Sequence, residues 1–403
     1  MTPALEVVRN PLRSDAPPRP PHSRWTPHQF HRLLPGYAVT PLLELPGLAG
    51  RFGVARVLVK DESSRLGLPA FKMLGASWAS FRALDDLLER RTGRAMAHFD
   101  SLGELAGQLG PILPLDLATA TDGNHGRAVA RFARLVGLGA RIFVPTGTSR
   151  ARIEAIEGEG ASCTVVDGTY EDAVARAADE AGDGCLVVSD TSWPGYETVP
   201  TWVIEGYDTI FHEILHQSLD GGLPEPTVVV VPIGVGALAA SVVCHYRENT
   251  WSVEHQRRPP ILVGVEPDTA NCAMASALAG RLVEVPGPHT SVMAGLNCGK
   301  ASPVAWPWVS AGFDWFVAGG DDLATTGMRL LADEGVVSGE SGACTVGALV
   351  ALAGGAGRDA GLELRADDVV LVLSTEGATD PAFYRATVGR TPEDVAGAVA
   401  DAM

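Results

Sequence analysis

An alternation of short apolar strands and amphipathic helices over residues 117–189 constrains the fold more than any other feature. Strands are predicted at 117–120, 141–144, 163–166 and 185–189, with a helical segment between each pair. Strands separated in this way pair in parallel, and the connecting helices cover the faces of the sheet. The alternation therefore predicts an α/β fold with an open parallel sheet.

A second set of apolar strands lies outside that segment, at 57–59, 227–231, 261–265, 315–318 and 369–373. Because a uniformly apolar strand is buried on both faces, we expect this set to form a sheet with covered faces. A chain of 403 residues is also too long for one simple core. We therefore expect two open parallel-sheet domains with flanking helices.

The order of the strands predicts how the two domains share the chain. We expect a small α/β domain over 78–206, inserted in a large domain that consists of 1–77 and 207–403. The Pro- and Arg-rich residues 1–36 are expected to form an N-terminal arm.

Composition excludes several classes of function. The net charge is −17, which argues against nucleic acid or an anionic membrane as the partner. No apolar run approaches the roughly 20 residues of a membrane span, and the first residues lack the pattern of a signal peptide. The six cysteines form no CxxC pair, so we expect a cytoplasmic protein with free thiols. Pairing of Cys272 with Cys298 stays open.

Polar residues and glycines follow several strands, where open parallel sheets bind their ligands. Lys72 begins a predicted helix after a Gly/Pro turn. A lysine amine at a helix N-terminus, flanked by Phe71 and Met73, is desolvated and lies in a positive field. Both effects favour the neutral, nucleophilic amine that attacks a carbonyl carbon. An isolated lysine of this kind is usually an exposed surface residue, so the other loops decide the interpretation.

Three further loops complete the pattern. Thr121–Gly126 places Asn124 between two glycines, Gly234–Ala237 opens a helix with backbone N–H groups that suit a phosphate, and Ser374-Thr375 ends a strand with two hydroxyls. Each loop alone is a common turn. Together, and in this order after the lysine, they predict one cofactor site.

The sequences of these loops resemble those of pyridoxal-phosphate enzymes of the tryptophan-synthase β type, which have fold type II. Among these enzymes they resemble the diaminopropionate ammonia-lyases. The matching stretches are Lys60–Ser63, Ala70–Lys72, Ala120–Gly126, Asp190-Thr191, Gly195-Tyr196, Pro200–Trp202, Gly234–Ala237, Gly264–Pro267, Ser338–Ala343, Ser374–Gly377 and Thr379–Pro381. They span nearly all of the chain from about residue 30. The sequence departs from the family at Ser64 and Pro69, where an aromatic residue and an asparagine are usual.

The resemblance implies pyridoxal 5'-phosphate as the cofactor, bound in the cleft between the two domains. The implied contacts are Lys72 as the covalent anchor, Asn124 at the ring hydroxyl, Gly234, Val235, Gly236 and Ala237 at the phosphate, and Ser374 or Thr375 at the pyridine nitrogen. The implied partners are a small amino-acid substrate and a second copy of the chain, giving a homodimer.

The implied reaction is α,β-elimination of 2,3-diaminopropionate, in the D or the L form, to pyruvate and ammonia. Asp122 and Asp190 are the candidate bases for the α-proton, one for each enantiomer; the simpler interpretation of either is a turn or cap residue. Because of the departures at Ser64 and Pro69, serine or threonine dehydration, or elimination from a related β-substituted amino acid, remains the alternative.

Two other motifs point to different classes of enzyme. His212, Glu213 and His216 fit the HExxH pattern of zinc hydrolases on a predicted helix. That pattern has three fixed letters, no further ligand is evident, and the glycine loops stay unexplained. The Gly234–Ala237 loop also lacks the G-x-G-x-x-G spacing of a dinucleotide site. We therefore expect no metal and no nicotinamide cofactor.

Overall fold

The computed structural model describes residues 5–14, 18, 26–121, 123–247 and 259–400. The strands are β1 Leu5–Arg9, β2 Leu42–Glu44, β3 Arg56–Asp61, β4 Asp116–Ala120, β5 Gly139–Pro145, β6 Ser162–Val166, β7 Cys185–Val187, β8 Val228–Pro232, β9 Ile261–Pro267, β10 Trp315–Gly319 and β11 Val369–Ser374. The helices are α1 Pro27–His31, α2 Pro46–Phe52, α3 Lys72–Thr92, α4 Leu102–Gln108, α5 Asn124–Leu135, α6 Arg150–Glu157, α7 Tyr170–Ala178, α8 Thr198–Gly206, α9 Asp208–Gly221, α10 Ala237–Arg247, α11 Cys272–Ala279, α12 Trp306–Gly312, α13 Asp322–Asp333, α14 Glu340–Ala353, α15 Pro381–Val388 and α16 Pro392–Ala400.

Seven strands form the larger sheet, in the order β1-β10-β9-β8-β11-β3-β2. The five inner strands pair in parallel, whereas β1 and β2 pair antiparallel at the two edges. Every residue of β8, β10 and β11 is buried, which is why these strands are apolar without alternation. Helices α13 and α14 pack on each other and contribute to the core on this sheet.

The smaller sheet has four strands in the order β6-β5-β4-β7, all parallel. Helix α5 packs on β4 and β5, and α7 packs on the same two strands. The hydrophobic core on this sheet includes Ala118, Phe143 and Ala173. The four strands coincide with those predicted from the alternation over 117–189, so the α/β prediction is confirmed for this sheet.

The described chain divides into two compact units. One comprises 1–21, 39–64 and 210–403; the other comprises 22–38 and 65–209. The second unit is wider than the predicted insertion of 78–206, since α3 runs without a break from Lys72 to Thr92 and cannot be divided at residue 78. Of the Pro-rich residues 15–22, the structure describes only Pro18.

One helix was predicted wrongly, and one strand was not predicted. The apolar pattern from about Trp202 to Ser218 predicts one long helix, but α8 and α9 are separate helices with Tyr207 between them. Gly206, the last residue of α8, packs against α3, where a Cβ would lie 2.7 Å from the carbonyl oxygen of Leu74. The strand β1 was not predicted, although it completes an edge of the larger sheet.

Within the described residues, no helix combines the length and the apolar character needed to cross a lipid bilayer.

Candidate functional site

Lys72 is the first residue of α3, as the sequence predicts. The turn before it is tightly folded, because Leu66 and Gly67 both have left-handed φ values, of 54° and 72°, and Arg65 and Leu68 form an isolated β-bridge. A left-handed leucine costs roughly 1–2 kcal/mol, so the surrounding contacts hold the turn in place. One such contact is the hydrogen bond from the buried Arg65 guanidinium to the carbonyl of Ala38.

Asp190 is the direct partner of Lys72. The lysine Nζ lies 2.6 Å from Asp190 Oδ2, and the carboxylate side chain is only 6% exposed. Burial alone would raise the pKa of this carboxyl, but the positive charges of Lys72 and His125 and the hydrogen bond from Lys72 hold its pKa well below the usual range. Asp190 is therefore an ionised carboxylate in contact with the reactive amine.

Two residues that the sequence analysis did not assign also reach Asp190. The Tyr170 hydroxyl donates to Oδ1 over 3.3 Å, and His125 Nδ1 lies 3.9 Å from Oδ2. His125 Nε2 lies 2.8 Å from the carbonyl oxygen of Val188, so this nitrogen carries a hydrogen. His125 lies within the glycine loop Thr121–Gly126, so its place in the site could have been predicted from the sequence. Tyr170 carries no motif and only follows a strand of the alternation.

The glycine loop after β4 is organised by Thr121. Its Oγ1 accepts hydrogen bonds from the N–H groups of Gly123 and Gly126, at 2.9 and 3.0 Å. A Cβ on Gly126 would lie 2.4 Å from the Thr121 side chain, so only glycine lets α5 approach the strand so closely. Asn124 begins α5 at the carboxyl end of the sheet. Asp122, the predicted base in this loop, lies outside the described residues.

The predicted phosphate loop, residues 234–237, belongs to the other unit and joins β8 to α10. Gly236 has a φ of +95°, and a Cβ on Gly234 would lie 2.7 Å from the carbonyl oxygen of Gly295. The loop therefore requires glycine at both positions. The N–H groups of the first helical turn have no acceptor within the helix, and together with the helix dipole they suit an anion.

Ser374 and Thr375 lie at the end of β11, in the same unit as the phosphate loop. Both are buried, and the Ser374 hydroxyl lies 2.9 Å from that of Ser338. Ser341 is the second residue of the neighbouring helix α14, and its buried hydroxyl has no hydrogen-bond partner within the described residues. A buried hydroxyl without a partner is costly, so its presence beside this strand end is consistent with a polar ligand.

Each unit, taken by itself, carries features that suit one part of the pyridoxal phosphate implied by the sequence. One unit supplies an amine that can form a covalent bond to a carbonyl carbon, held by a buried carboxylate. The other supplies an anion-binding helix N-terminus with obligatory glycines and a strand end that carries hydroxyls. Of the predicted residues in the first unit, the structure brings Lys72 and Asp190 into contact.

The zinc-hydrolase alternative is contradicted by the surroundings of Glu213. Its carboxylate is buried and lies 2.7 Å from the ammonium of Lys60, which also donates to the carbonyl of Thr40 and to Gln217. The general base of an HExxH site must face a water on the metal, whereas this carboxylate is fully buried against the ammonium of Lys60. Within the part of the chain that the structure describes, no three His, Cys, Asp or Glu side chains are placed to hold a metal ion.

No disulfide joins Cys272 and Cys298 in the structure. Cys272 Sγ lies 3.8 Å from the carbonyl oxygen of Gly234, and Cys298 Sγ lies 3.5 Å from where a Cβ on Gly234 would be. Burial raises the pKa of the Cys272 thiol well above its usual value, which keeps the sulfur protonated. Both thiols therefore pack near the start of the phosphate loop.

Comparison with known proteins gives consistent results. Diaminopropionate ammonia-lyase of Escherichia coli K12 is 39% identical over 369 residues, which is 89% of either chain. The crystal structure of the E. coli enzyme in complex with D-serine superposes with a TM-score of 0.84, at 35% identity, over 96% of this chain and 97% of that one. Threonine deaminase isoform 2 of Solanum lycopersicum shares the fold, with a TM-score of 0.68 at 20% identity over 98% of both chains. The predicted fold of type II pyridoxal-phosphate enzymes is thus confirmed.

The family model described as pyridoxal-phosphate dependent enzyme matches residues 33–375. This match covers both units, and with them the lysine, the glycine loop after β4, the phosphate loop and the strand end of β11. The chain belongs to the family of pyridoxal-phosphate dependent enzymes.

Proposed function

We propose that this protein is a diaminopropionate ammonia-lyase, which converts 2,3-diaminopropionate to pyruvate and ammonia. The observation that carries the proposal is the contact of 2.6 Å between Lys72 Nζ and the buried, ionised Asp190. It combines a covalent anchor for the cofactor with a base beside it. The relatives named above supply the substrate, and the small amino acid in the D-serine complex is of the same size class.

The chain's own residues have distinct tasks in this proposal. Lys72 holds the cofactor, the N–H groups of residues 234–237 bind its phosphate, Asn124 binds its ring hydroxyl, and Ser374 or Thr375 meets its ring nitrogen. When bound, pyridoxal phosphate supplies an electron sink for the charge left at the α-carbon. A hydroxyl partner leaves the ring nitrogen largely neutral, which favours elimination over reactions that need a longer-lived carbanion.

Proton removal is assigned to the carboxylates. The α-proton goes to a carboxylate oxygen, the bond from the β-carbon to nitrogen breaks, and the first ammonia leaves with that electron pair. Water then takes the place of the α-amino group, which leaves as the second ammonia, and pyruvate remains. The proton must depart perpendicular to the plane of the cofactor, so the two enantiomers present it to opposite faces. We assign Asp122 to the D-substrate and Asp190 to the L-substrate.

The first test compares substrates. The purified protein with pyridoxal phosphate is expected to release pyruvate from D- or L-2,3-diaminopropionate with a kcat/KM well above that for serine, and above that for 2-oxobutanoate formation from threonine. A preference for serine or threonine would replace the proposal by a dehydratase. Absence of turnover with all of these, in a protein that retains the cofactor, would reject the elimination altogether.

The second test separates the two carboxylates. Asp122→Asn and Asp190→Asn should each lower kcat/KM by about 10²–10⁴-fold for one enantiomer only, because a positioned base contributes a factor of that size. Cofactor binding, measured by visible absorbance, should persist in both variants. Equal losses for both enantiomers in each variant would mean that the carboxylates bind the distal ammonium and that Lys72 is the base.

The proposal also includes a homodimer, which rests on the family resemblance, and a cytoplasmic location, which rests on the cysteine pattern of the sequence. Light scattering coupled to size-exclusion chromatography tests the dimer: a mass near twice the 42.1 kDa of one chain is expected. A mass of one chain at micromolar concentration would contradict it.

A further inference from the structure

The carboxylate of Asp190 is approached from several elements at once. Lys72 on α3 and His125 on α5 lie near Oδ2, and the Tyr170 hydroxyl on α7 donates to Oδ1. Two more phenols, Tyr196 and Tyr207, lie close enough for the negative charge of Asp190 to raise their pKa values further, beyond the rise caused by burial.

Those two phenols differ from Tyr170 in where their hydroxyls bond. The Tyr196 hydroxyl donates to the carbonyl of Val187 at 2.7 Å and accepts from the N–H of Ser189 at 3.0 Å. The Tyr207 hydroxyl is buried and has no hydrogen-bond partner within the described residues. In the described structure, Tyr170 is therefore the phenol that donates directly to the carboxylate.

The position of Tyr170 is fixed by the start of α7. Thr169 Oγ1 accepts from the N–H of Asp172, and Asp172 Oδ2 accepts from the N–H of Thr169, which is a complete capping box. A Cβ on Gly168 would lie 2.4 Å from Asp172 Oδ2, so glycine is required before the box. The sequence Gly168–Asp172 thus defines where the helix begins and places Tyr170 as its first residue.

The topology explains why this first residue can reach Asp190. Strands β6 and β7 are the opposite edges of the small sheet. Helix α7 starts at the carboxyl end of β6 and packs across β5 and β4, and Asp190 follows the carboxyl end of β7. The hydrogen bond from Tyr170 therefore links the carboxyl ends of the two edge strands, β6 and β7.

Lys72 is both the closest donor to Asp190 and the residue that holds the cofactor in the proposed function. Once its nitrogen is bonded to the cofactor, it carries at most one hydrogen in place of three, so Lys72 gives Asp190 fewer hydrogen bonds than its free ammonium can. We propose that Tyr170 is a positioning residue that keeps Asp190 oriented and ionised after Lys72 has been taken up by the cofactor. The inference rests on the proposed function, in which Asp190 removes the α-proton of the L-substrate.

The expected consequence is a shift in pH dependence. A buried carboxylate has a raised pKa unless hydrogen bonds or positive charges favour the ionised form. Tyr170→Phe removes one donor and keeps the ring, so the pKa of Asp190 should rise in the holoenzyme. Because only the ionised carboxylate accepts a proton, the acid limb of kcat/KM for L-2,3-diaminopropionate should move to higher pH, by roughly one unit for the loss of one such hydrogen bond.

Three comparisons make the effect specific. The acid limb for the D-substrate should stay within about 0.3 units of wild type, a bound set well below the one-unit shift. Tyr196→Phe, the same chemical change in a phenol that bonds only to backbone, should leave both limbs in place. Above the limb, kcat/KM of Tyr170→Phe for the L-substrate should return to within about threefold of wild type, because the carboxylate is then ionised without help.

A measurement without turnover completes the test. The visible absorbance of the substrate-free holoenzyme is followed during acidification, and the step that is absent in Asp190→Asn reports this carboxyl. That step should move to higher pH in Tyr170→Phe and not in Tyr196→Phe. An unmoved step, or an unmoved limb for the L-substrate, would overturn the inference. A wild-type enzyme that is inactive on both enantiomers would refute the proposed function instead, and the absorbance step would then decide the role of Tyr170 alone.

Discussion

Replacing Gly236 by alanine should weaken the binding of pyridoxal phosphate by about 5- to 30-fold. The φ of this residue is +95°, and a residue with a Cβ loses roughly 1–2 kcal/mol in a left-handed conformation. The new methyl group would lie 3.4 Å from Ala305 Cβ and 3.5 Å from Val309 Cγ2, which is ordinary van der Waals contact. The penalty is therefore backbone strain and not a clash.

The strain lowers the affinity for the cofactor because the loop can relax when no cofactor is bound. In the cofactor-free chain, the alanine can rotate toward negative φ, and cofactor binding must then restore the conformation that presents the N–H groups. At 1.4 kcal/mol for each factor of ten, 1–2 kcal/mol corresponds to the range given above. The measurement is a titration of the cofactor-free protein with pyridoxal phosphate, followed by visible absorbance.

Gly222 offers a matched control in the same unit. Its φ is +62°, and a Cβ there would meet no atom within 4 Å. Gly222→Ala therefore carries a similar strain away from the phosphate loop and should lower the melting temperature without changing the cofactor dissociation constant. A dissociation constant for Gly236→Ala within twofold of wild type, with Gly222→Ala destabilised as expected, would refute the assignment of this loop to the phosphate.

Two further substitutions test the scaffold around the site. Glu213→Ala should lower the free energy of unfolding by about 3–5 kcal/mol in urea, because it leaves the buried Lys60 ammonium without its counter-charge. The control, Glu44→Ala, removes an exposed ion pair and should lower it by about 0–1 kcal/mol. Equal losses in the two variants would contradict this prediction. Gly75→Ala should lower the melting temperature and slow cofactor capture by Lys72, since its Cβ would lie 2.6 Å from the Tyr207 ring, whereas Gly107→Ala, with no atom within 4 Å, should be neutral or stabilising. A more stable Gly75→Ala with unchanged capture would show that α3 adjusts freely.

The sequence predicted the parts of the fold that depend on local pattern. The parallel strands were recognised because both of their faces are buried, which produces unbroken apolar runs such as Val228–Val231. Lys72 was placed correctly at the start of α3 because a Gly/Pro turn precedes it. These features are determined by residues close together in the chain, so they can be predicted from local composition and spacing.

Features that depend on distant contacts were missed. The break between α8 and α9 at Tyr207 was not predicted, and neither was the close approach of Gly206 to the backbone of α3, more than a hundred positions away. The contact of Tyr170 with Asp190 depends on the order of strands in the small sheet, which the alternation alone does not define. The pairing of Glu213 with Lys60 likewise turned an apparent catalytic motif into a structural ion pair.

The register of the larger sheet has a consequence for how the protein is made. Strand β3 pairs on one side with β2, which is close in the chain, and on the other side with β11, where Arg56 lies opposite Val369. In a chain leaving the ribosome, the edge of β3 that pairs with β11 therefore has no partner until almost the whole protein has been synthesised, whereas strands β4 to β7 can assemble with one another much earlier. Pairing across such a distance is slow, and unpaired apolar strands associate with other chains. We expect this protein to depend on chaperones during synthesis, and chains cut before residue 369 to aggregate.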